Sequence, residues 1–466
     1  MKQKKRRIEI FSFYDHSGME AHLAAQAQRG WLLEQIGRSC WVYRRVAPQA
    51  LTFAVTYAAD ASVYDPGPTQ GQQDYRDMAA RTGWQRCGAN GKLQVYYTAD
   101  PAPIPLETDP ATQVENIRRA ARWGFLGPYC LLAVLGLWSL GMQLAQLLRD
   151  PIGFLSSSNH LVSSVCWLAL LVLSAVELAA YGLWLARARR DAVQGRFRPT
   201  PHTAPFQRAL LIWVMLLFAL WLADTLFGGD RIGRWAALIS LGYIVTLLAV
   251  VNGVLAFLRW RNTPRNVTRA VTLAVDVVLA FLLMGLITYA TLHLSDQGFF
   301  QQDSPPSQVA DWQFRQLPLT VEDLVEVSYD GYLYQRSGSD SLLLGQFTLS
   351  QWPDPWSDDA DALSYPTLDY TVTWVHLPAL YGLCREQLLA KKDETNDPAV
   401  PEGFKRQYLS MDPTSWGAEA AYQLTYQDSG PMNRYLLCYP SCLVELRLDW
   451  TPTAAQMAAV GQAFCS

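Results

Sequence analysis

Apolar positions in this chain follow two regimes. In the middle they form long, nearly unbroken runs: Phe125–Leu147, Leu161–Ala186, Ala209–Phe227, Trp235–Phe257 and Ala270–Leu294. A helix needs about 20 mostly apolar residues to cross the hydrocarbon core of a bilayer. Five such runs in succession, with short polar breaks, therefore predict a five-helix transmembrane bundle. On both sides the runs shorten to segments with the periods of ordinary strands and helices. The division is into residues 1–115, 116–294 and 295–466, with a soluble domain at each end.

The first region reads as an α+β domain. Ile8–Tyr14, Cys40–Val46, the alternation Leu51, Phe53, Val55, Tyr57, and Leu93–Thr98 have the character of strands. Ser17–Arg29, capped by Ser17, and Gln73–Thr82 read as helices, with a loop containing Pro66, Gly67, Pro68 and Gly71 before the second. The order is βαββαβ, a ferredoxin-like arrangement. Two similar halves underlie it. Each helix ends in Gly-Trp, at Gly30-Trp31 and Gly83-Trp84, and each tryptophan is followed twelve positions later by a strand tyrosine, Tyr43 and Tyr96. The glycines are placed to stop the helices in a left-handed cap, and the tryptophans to fold back onto the sheet.

The third region opens with a Gln/Ser/Pro linker, Gln301–Ser307. It continues with strands expected at Ser341–Trp352, Tyr365–Trp374, Ala421–Tyr426, Arg434–Tyr439 and Leu443–Trp450. Helices are expected at Thr320–Val327, Leu377–Leu389 and Thr453–Phe464. Mixed strands and helices give a second α+β domain.

Charge assigns the two ends to opposite sides. Arg118, Arg119 and Arg122 precede the first run. Arg187, Arg189, Arg190, Arg196, Arg198 and Arg208 separate the second from the third, and Arg259, Arg261, Arg265 and Arg269 the fourth from the fifth. The other two connections carry only Arg149, Arg231 and Arg234. Positive residues remain cytoplasmic, so the expectation is a cell-membrane protein with a cytoplasmic N-terminus and an extracellular C-terminus. The basic start, Lys2 to Arg7, lacks the apolar segment of a cleavable signal peptide. Ser295–Ser466 holds 23 acidic and nine basic residues, a net of −14, within a whole-chain charge of −3. Such a field repels nucleic acid, so the expected partners are the lipid bilayer, a cytoplasmic protein and an outer ligand.

Candidate chemistry is sparse. The six histidines are scattered, and no H-E-x-x-H, G-x-S-x-G or G-x-x-x-x-G-K-[ST] pattern occurs. Neither catalytic residue nor metal nor cofactor is expected. An acidic loop, Asp354, Asp358, Asp359 and Asp361 beside Trp352 and Trp356, lacks the glycine and distal glutamate of an EF-hand and reads as solvated. Cys384, Cys438, Cys442 and Cys465 fall in the outer domain, where thiols are open to oxidation. Three pairings are open, with Cys438–Cys442 and Cys384–Cys465 favoured. Three acids lie within the spans: Glu177 near mid-depth of the second, Asp224 near the outer end of the third, Asp276 inside the fifth. Intramembrane charge is costly and faces the bundle or a cavity. Glu177 is the leading polar candidate, either in a functional cavity or in a structural hydrogen bond, for instance with Asn252.

The Phe11-Ser-Phe-Tyr14 segment, the two Gly-Trp helix ends and the basic helix leading into the membrane resemble a family of bacterial multi-pass proteins. That family is found mainly in Firmicutes, and its N-terminal domain is a domain of unknown function, the 2812 family. The resemblance covers about the first 125 residues. Members are often encoded beside PadR-type transcriptional regulators, which implies a regulatory setting, and the family supplies no catalytic residue. The expectation is a non-enzymatic membrane sensor or regulator, coupling an outer ligand- or partner-binding domain to an inner protein-binding domain. The alternative is a transport-related protein using the intramembrane carboxylates.

Overall fold

The computed structural model describes residues 3–37, 40–227, 231–296, 317–329, 331–354 and 364–464. It divides into two compact units, Met1–Ser139 with Cys166–Gln301, and Leu140–Val165 with Gln302–Ser466.

In the first unit the N-terminal domain runs β1 (Lys4–Arg7), α1 (His16–Gln28), β2 (Trp31–Ile36), β3 (Trp41–Arg45), β4 (Thr52–Tyr57), α2 (Gln70–Arg81), β5 (Gln85–Asn90), β6 (Leu93–Thr98) and α3 (Pro110–Ala121). The single βαββαβ sheet expected from the pattern does not form. Two antiparallel three-stranded sheets form instead, in the orders β1-β3-β2 and β4-β6-β5. Each half is a βαββ unit with its third strand in the centre, so the repeat is topological. Of the three strands that the pattern reading missed, β1, β2 and β5, the last two begin directly at or after the Gly-Trp pairs. Gly30 (φ +80°) and Gly83 (φ +84°) adopt the left-handed conformation that ends α1 and α2. The tryptophans then lead into strands rather than folding back. Tyr43 and Tyr96 sit in the central strands, both fully buried.

Two local expectations also change. The α1 cap is Asp15, whose side chain accepts from the Gly18 N–H at 2.9 Å. Helix α2 starts earlier than its apolar pattern suggests, because Thr69 and Gln72 form a reciprocal capping box. Ile8–Tyr14, expected as a strand, belongs to no sheet.

A π-helical turn, Arg122–Leu126, joins α3 to α4 (Gly127–Arg149). The helices α6 (Ser158–Val193), α7 (Ala204–Phe227), α8 (Arg231–Trp260) and α9 (Arg265–Asp296) follow, with the short α5 (Pro151–Ser156) before α6. Among the described residues five helices are long and apolar enough to cross a membrane, which marks a multi-pass membrane protein. Their outer faces carry large apolar side chains such as Trp138, Leu220 and Phe281, each more than half exposed without lipid. Arginines at facing helix ends hold the N-terminal domain: Arg259 in the last turn of α8 donates to the Val63 carbonyl, and Arg265 at the start of α9 donates to the Asp60 carbonyl at 2.9 Å.

The second unit is built on an antiparallel sheet of β7 (Tyr332–Asp340), β8 (Leu344–Pro353), β9 (Leu368–Val375), β10 (Arg406–Met411), β11 (Ala420–Tyr426), β12 (Gly430–Cys438) and β13 (Cys442–Leu448), in the order β10-β11-β12-β13-β9-β8-β7. Side-chain alternation sends Tyr370, Val372, Tyr435, Leu437, Val444 and Leu446 to one face. There they pack with α10 (Val321–Leu324) and α12 (Ala454–Phe464). Leu344, Val375, Leu436 and Leu443 point to the other face, covered by α11 (Tyr381–Lys392) and by Ile152 of α5. The connection between α4 and α6 is thus part of this domain's core. Ser341 Oγ donates to the Leu155 carbonyl at 2.6 Å, and Ser158 Oγ to the Asp340 carbonyl at 2.7 Å.

Of the favoured cysteine pairs, the Cys438–Cys442 link does not fit this geometry, and Cys384–Cys465 involves a residue outside those described. Cys438 and Cys442 are both buried. Cys438 lies on the α11 face with Cys384, and Cys442 on the opposite face with Phe464. A hairpin places residues of that spacing back to back. Cys465, the linker Gln301–Ser307, and Asp358, Asp359 and Asp361 of the acidic loop lie outside the described residues.

Candidate functional site

The segment Ile8–Tyr14 forgoes a ladder because its side chains serve two different surfaces. Phe11 stacks on Trp41 (centroids 5.7 Å apart), and Phe13 meets Tyr57 edge-on (5.2 Å), so both face the N-terminal domain. Ser12 and Tyr14 face the helices. The alternation legible in the sequence is real, but it bridges a domain to a bundle.

Ser12 is 2 % exposed, and its hydroxyl has a full set of partners. It donates to Oε2 of Glu177 on α6 at 2.7 Å and accepts from Gln207 Nε2 on α7 at 2.7 Å. Its third neighbour is the Thr203 hydroxyl, 2.6 Å away. A serine hydroxyl has one hydrogen to give. With that hydrogen committed to the carboxylate, Thr203 must be the donor in the third contact. The network thus ties the N-terminal segment to two helices through one oxygen atom.

Glu177 is completely buried, and its second oxygen, Oε1, has no hydrogen-bond partner. Nearby, Tyr14 packs against Tyr181 (5.1 Å), Phe125 (5.3 Å) and Trp184 (5.7 Å). The π-helical turn, wider than an α-turn, carries Phe125 into this cluster. Tyr14 Oη, Tyr181 Oη and Trp184 Nε1 are likewise buried without partners. Burial first, and then the charges of Glu177 and Asp15, hold the Tyr14 phenol protonated well above its ordinary range. Orphaned polar atoms in such density are uncommon in native cores and call for a compensating role.

Flanking contacts complete the junction. Fully buried Asp15 accepts from the Thr200 hydroxyl at 2.8 Å and lies 3.2 Å from His202 Nδ1, and Ser17 and Thr200 exchange backbone-to-hydroxyl bonds. Buried Glu9 faces His22, Arg7 and Arg208. Burial raises its carboxyl, but the His22 hydrogen bond and these cations outweigh burial and leave it below the usual carboxylate value. Arg208 also donates to the Ile10 carbonyl at 3.2 Å and lies over the Phe11 ring.

Of the polar residues singled out in the spans whose side chains are described, only Glu177 enters this network. The mid-depth placement expected for it does not fit its partners. Thr203 and Gln207 sit at the very start of α7, beside the basic Arg208, so the carboxylate is level with a helix end. Asn252 is not its partner, since the Asn252 side chain is exposed and donates to the Leu248 carbonyl at 2.7 Å. Asp276, half-buried in α9, makes no hydrogen bond or ion pair among the described residues. Asp224 lies in α7, but its side chain is outside the described residues. Within the repeat, Trp31 sits between Lys5 and Arg45 at 5.3 and 5.0 Å, and Trp84 donates to the Ile104 carbonyl at 2.9 Å. Among the described residues no group of three His, Cys, Asp or Glu side chains is arranged to hold a metal. Ser12, Thr203 and Gln207 were missed by sequence reasoning. The signal was the alternation of Phe11, Ser12, Phe13 and Tyr14, in which a lone polar residue shares a face with an aromatic one.

Residues 15–126 match a family model described as a protein of unknown function (DUF2812). The match runs from the α1 cap to the end of the π-helical turn and covers about a quarter of the chain. No curated protein and no solved structure matches the chain.

Proposed function

We propose that this chain is a bacterial cell-membrane sensor or regulator without enzymatic activity, its N-terminal domain cytoplasmic and its C-terminal domain extracellular. The outer domain binds a ligand or envelope partner, and the inner domain binds a cytoplasmic protein. The arginine asymmetry supports the orientation, and Arg208, Arg259 and Arg265 have a second use there in gripping the inner domain. A C-terminal alkaline phosphatase fusion is expected to be active and a C-terminal fluorescent protein that folds only in the cytoplasm dark; the reverse pair overturns the orientation.

One observation carries the sensing role. The continuous helix α6 is bonded through Ser158 to the C-terminal domain and through Glu177 to Ser12 of the N-terminal domain. Load applied to its first turn is borne by the same hydrogen-bonded rod that holds the Ser12 contact. The coupling is tested on the full-length protein in nanodiscs by substituting Ile152→Ala in the outer-domain core and reading hydrogen exchange over residues 8–17. A sensor predicts a change in protection of that segment, and unchanged protection sinks the coupling. A proteoliposome flux assay separates this reading from transport through Glu177 and Asp276, for which the sensor predicts no flux.

A further inference from the structure

The second unit contains a cleft of about 360 Å³ lined by Arg149, Asp150, Ile152, Gln346, Gln387 and Lys391, with Leu388 and Ala390 beside them. Its size lies at the small end of ligand pockets, which span about 300–1,000 Å³. Among the described residues Arg149, Gln346 and Gln387 make no side-chain hydrogen bond or ion pair. Lys391 acts electrostatically on the buried Glu445 carboxylate, and the lining carboxylate, Asp150, is engaged in capping α5 through the Gly153 N–H at 3.2 Å. Two cations and two amides thus line one cleft, with an apolar wall of Ile152 and Leu388.

This is an odd arrangement for a domain of net charge −14. Of the nine basic residues in Ser295–Ser466, three (Arg385, Lys391 and Lys392) fall on α11 alone. A solubility role would spread them among the acids. Of these, Lys391 lines the cleft with Arg149, which brings two cations together on an acidic domain. Guanidinium and ammonium groups bind phosphate through charge-assisted bonds, while the glutamine amides suit hydroxyl groups. Arg149 is the last residue of the first helix long and apolar enough to cross a membrane, and a residue at the end of such a helix is within reach of lipid headgroups.

We infer that this cleft binds a phosphodiester anion bearing a hydroxylated headgroup, with Arg149 and Lys391 on the phosphate and Gln346 and Gln387 on the hydroxyls. The inference deepens the sensor reading and rests on it, since it names the class of ligand that the outer domain takes. The same chemistry is offered by a phosphatidylglycerol headgroup in the membrane or by a soluble phosphate ester.

The test uses purified full-length protein in zwitterionic detergent, titrated with short-chain phosphatidylglycerol, short-chain phosphatidylcholine, glycerophosphoglycerol and inorganic phosphate, with binding read as a rise in thermal unfolding temperature. Phosphatidylglycerol is expected to bind at least about tenfold tighter than phosphatidylcholine, the gain from one or two charge-assisted contacts. R149Q and K391Q are expected to abolish the preference at an unchanged unfolding temperature in phosphatidylcholine, and R149K to retain it. Both positions are exposed, and if R149Q fails to accumulate, K391Q decides. A headgroup or phosphate effect equal to that of the lipid assigns a soluble source and supports the site; an effect confined to the intact lipid assigns the membrane. Equal binding of both lipids with no response to phosphate overturns the site, as does a preference that survives in the R149Q/K391Q double variant. Binding in detergent depends on neither topology nor Ser12. A negative result removes the ligand and leaves the coupling, whereas unchanged exchange over residues 8–17 removes the coupling and leaves the cleft.

Discussion

Replacing Ser12 with alanine deletes one oxygen atom and disturbs three partners. Glu177 loses the only hydrogen bond that its buried carboxylate makes among the described residues. A bond to a charged group contributes about 1.5–3 kcal/mol. Gln207, 2 % exposed, loses its acceptor for Nε2, at a further cost of about 1 kcal/mol, whereas Thr203 is open enough to turn to water. The sum for Ser12→Ala is about 3 kcal/mol. Glu177→Gln behaves differently, because the amide oxygen still accepts from Ser12 and a buried charge with one orphaned oxygen disappears. Its cost is about 1 kcal/mol or less. In the Glu177→Gln background Ser12→Ala should then cost only a neutral bond and the Gln207 acceptor, about 1–2 kcal/mol. The double-mutant cycle therefore predicts a coupling of about 1–2 kcal/mol between Ser12 and Glu177. Unfolding in mixed detergent micelles, followed by tryptophan fluorescence, gives the four stabilities. Hydrogen exchange over residues 8–17 shows whether the loss is local. Additivity within about 0.5 kcal/mol refutes the argument, as does a Ser12→Ala variant as stable as the parent.

Three further outcomes follow from named residues. Gly83→Ala should cost about 1–2 kcal/mol for its left-handed backbone and Gly30→Ala clearly more, because only the latter brings a new Cβ to 2.8 Å from the Val46 carbonyl oxygen; equal thermal shifts contradict the two environments. Burial raises the carboxyls of Glu20 and Glu107 to about 7, each with little compensation from cations. Since the folded state then holds protons that the unfolded chain has released, stability should fall as pH rises from about 4.5 to 7 and level off above it, and the E20Q/E107Q variant should flatten that slope in pH-dependent melts. Alkylation under denaturing, non-reducing conditions should find no Cys438–Cys442 link, and a cross-linked peptide joining the two would refute their assignment to opposite faces of the sheet.

The spans and both domains were legible because their signals are local. A run of 20 apolar residues needs no partner to be recognised, and the left-handed Gly30 and Gly83 announce themselves by being followed by Trp at matching positions. Strands β1, β2, β5, β7 and β10 were not legible. Leu32 and Leu33 are adjacent and both buried, and Gln85–Asn90 is mostly polar, so neither keeps a clean alternation; β10 is an edge strand with mainly exposed side chains. Ser12 was invisible for a different reason. Its partners lie 165, 191 and 195 positions away, and periodicity carries no information at that range.

The length of α6 explains why Glu177 was misplaced. A crossing needs about 20 residues, and α6 has 36. Read as one membrane segment, the apolar run puts Glu177 well inside the bilayer, at a cost of about 2.5–3.5 kcal/mol. In the fold, the turns around and beyond Glu177 bury Ser174, Glu177, Tyr181, Trp184 and Ala188, spaced by three or four residues along one face. Tyr181, Trp184 and Ala188 share a core with Leu23, Val114 and Ile117 of the N-terminal domain. That part of α6 is apolar because a protein core covers it, so the carboxylate needs no membrane cavity to account for it. A helix whose surplus length serves a soluble domain has two apolar environments in one unbroken run, and Glu177 lies at the changeover. A polar group is tolerated there because Ser12, Thr203 and Gln207 can reach it. A sensor that communicates along α6 would place its adjustable contact at the same point.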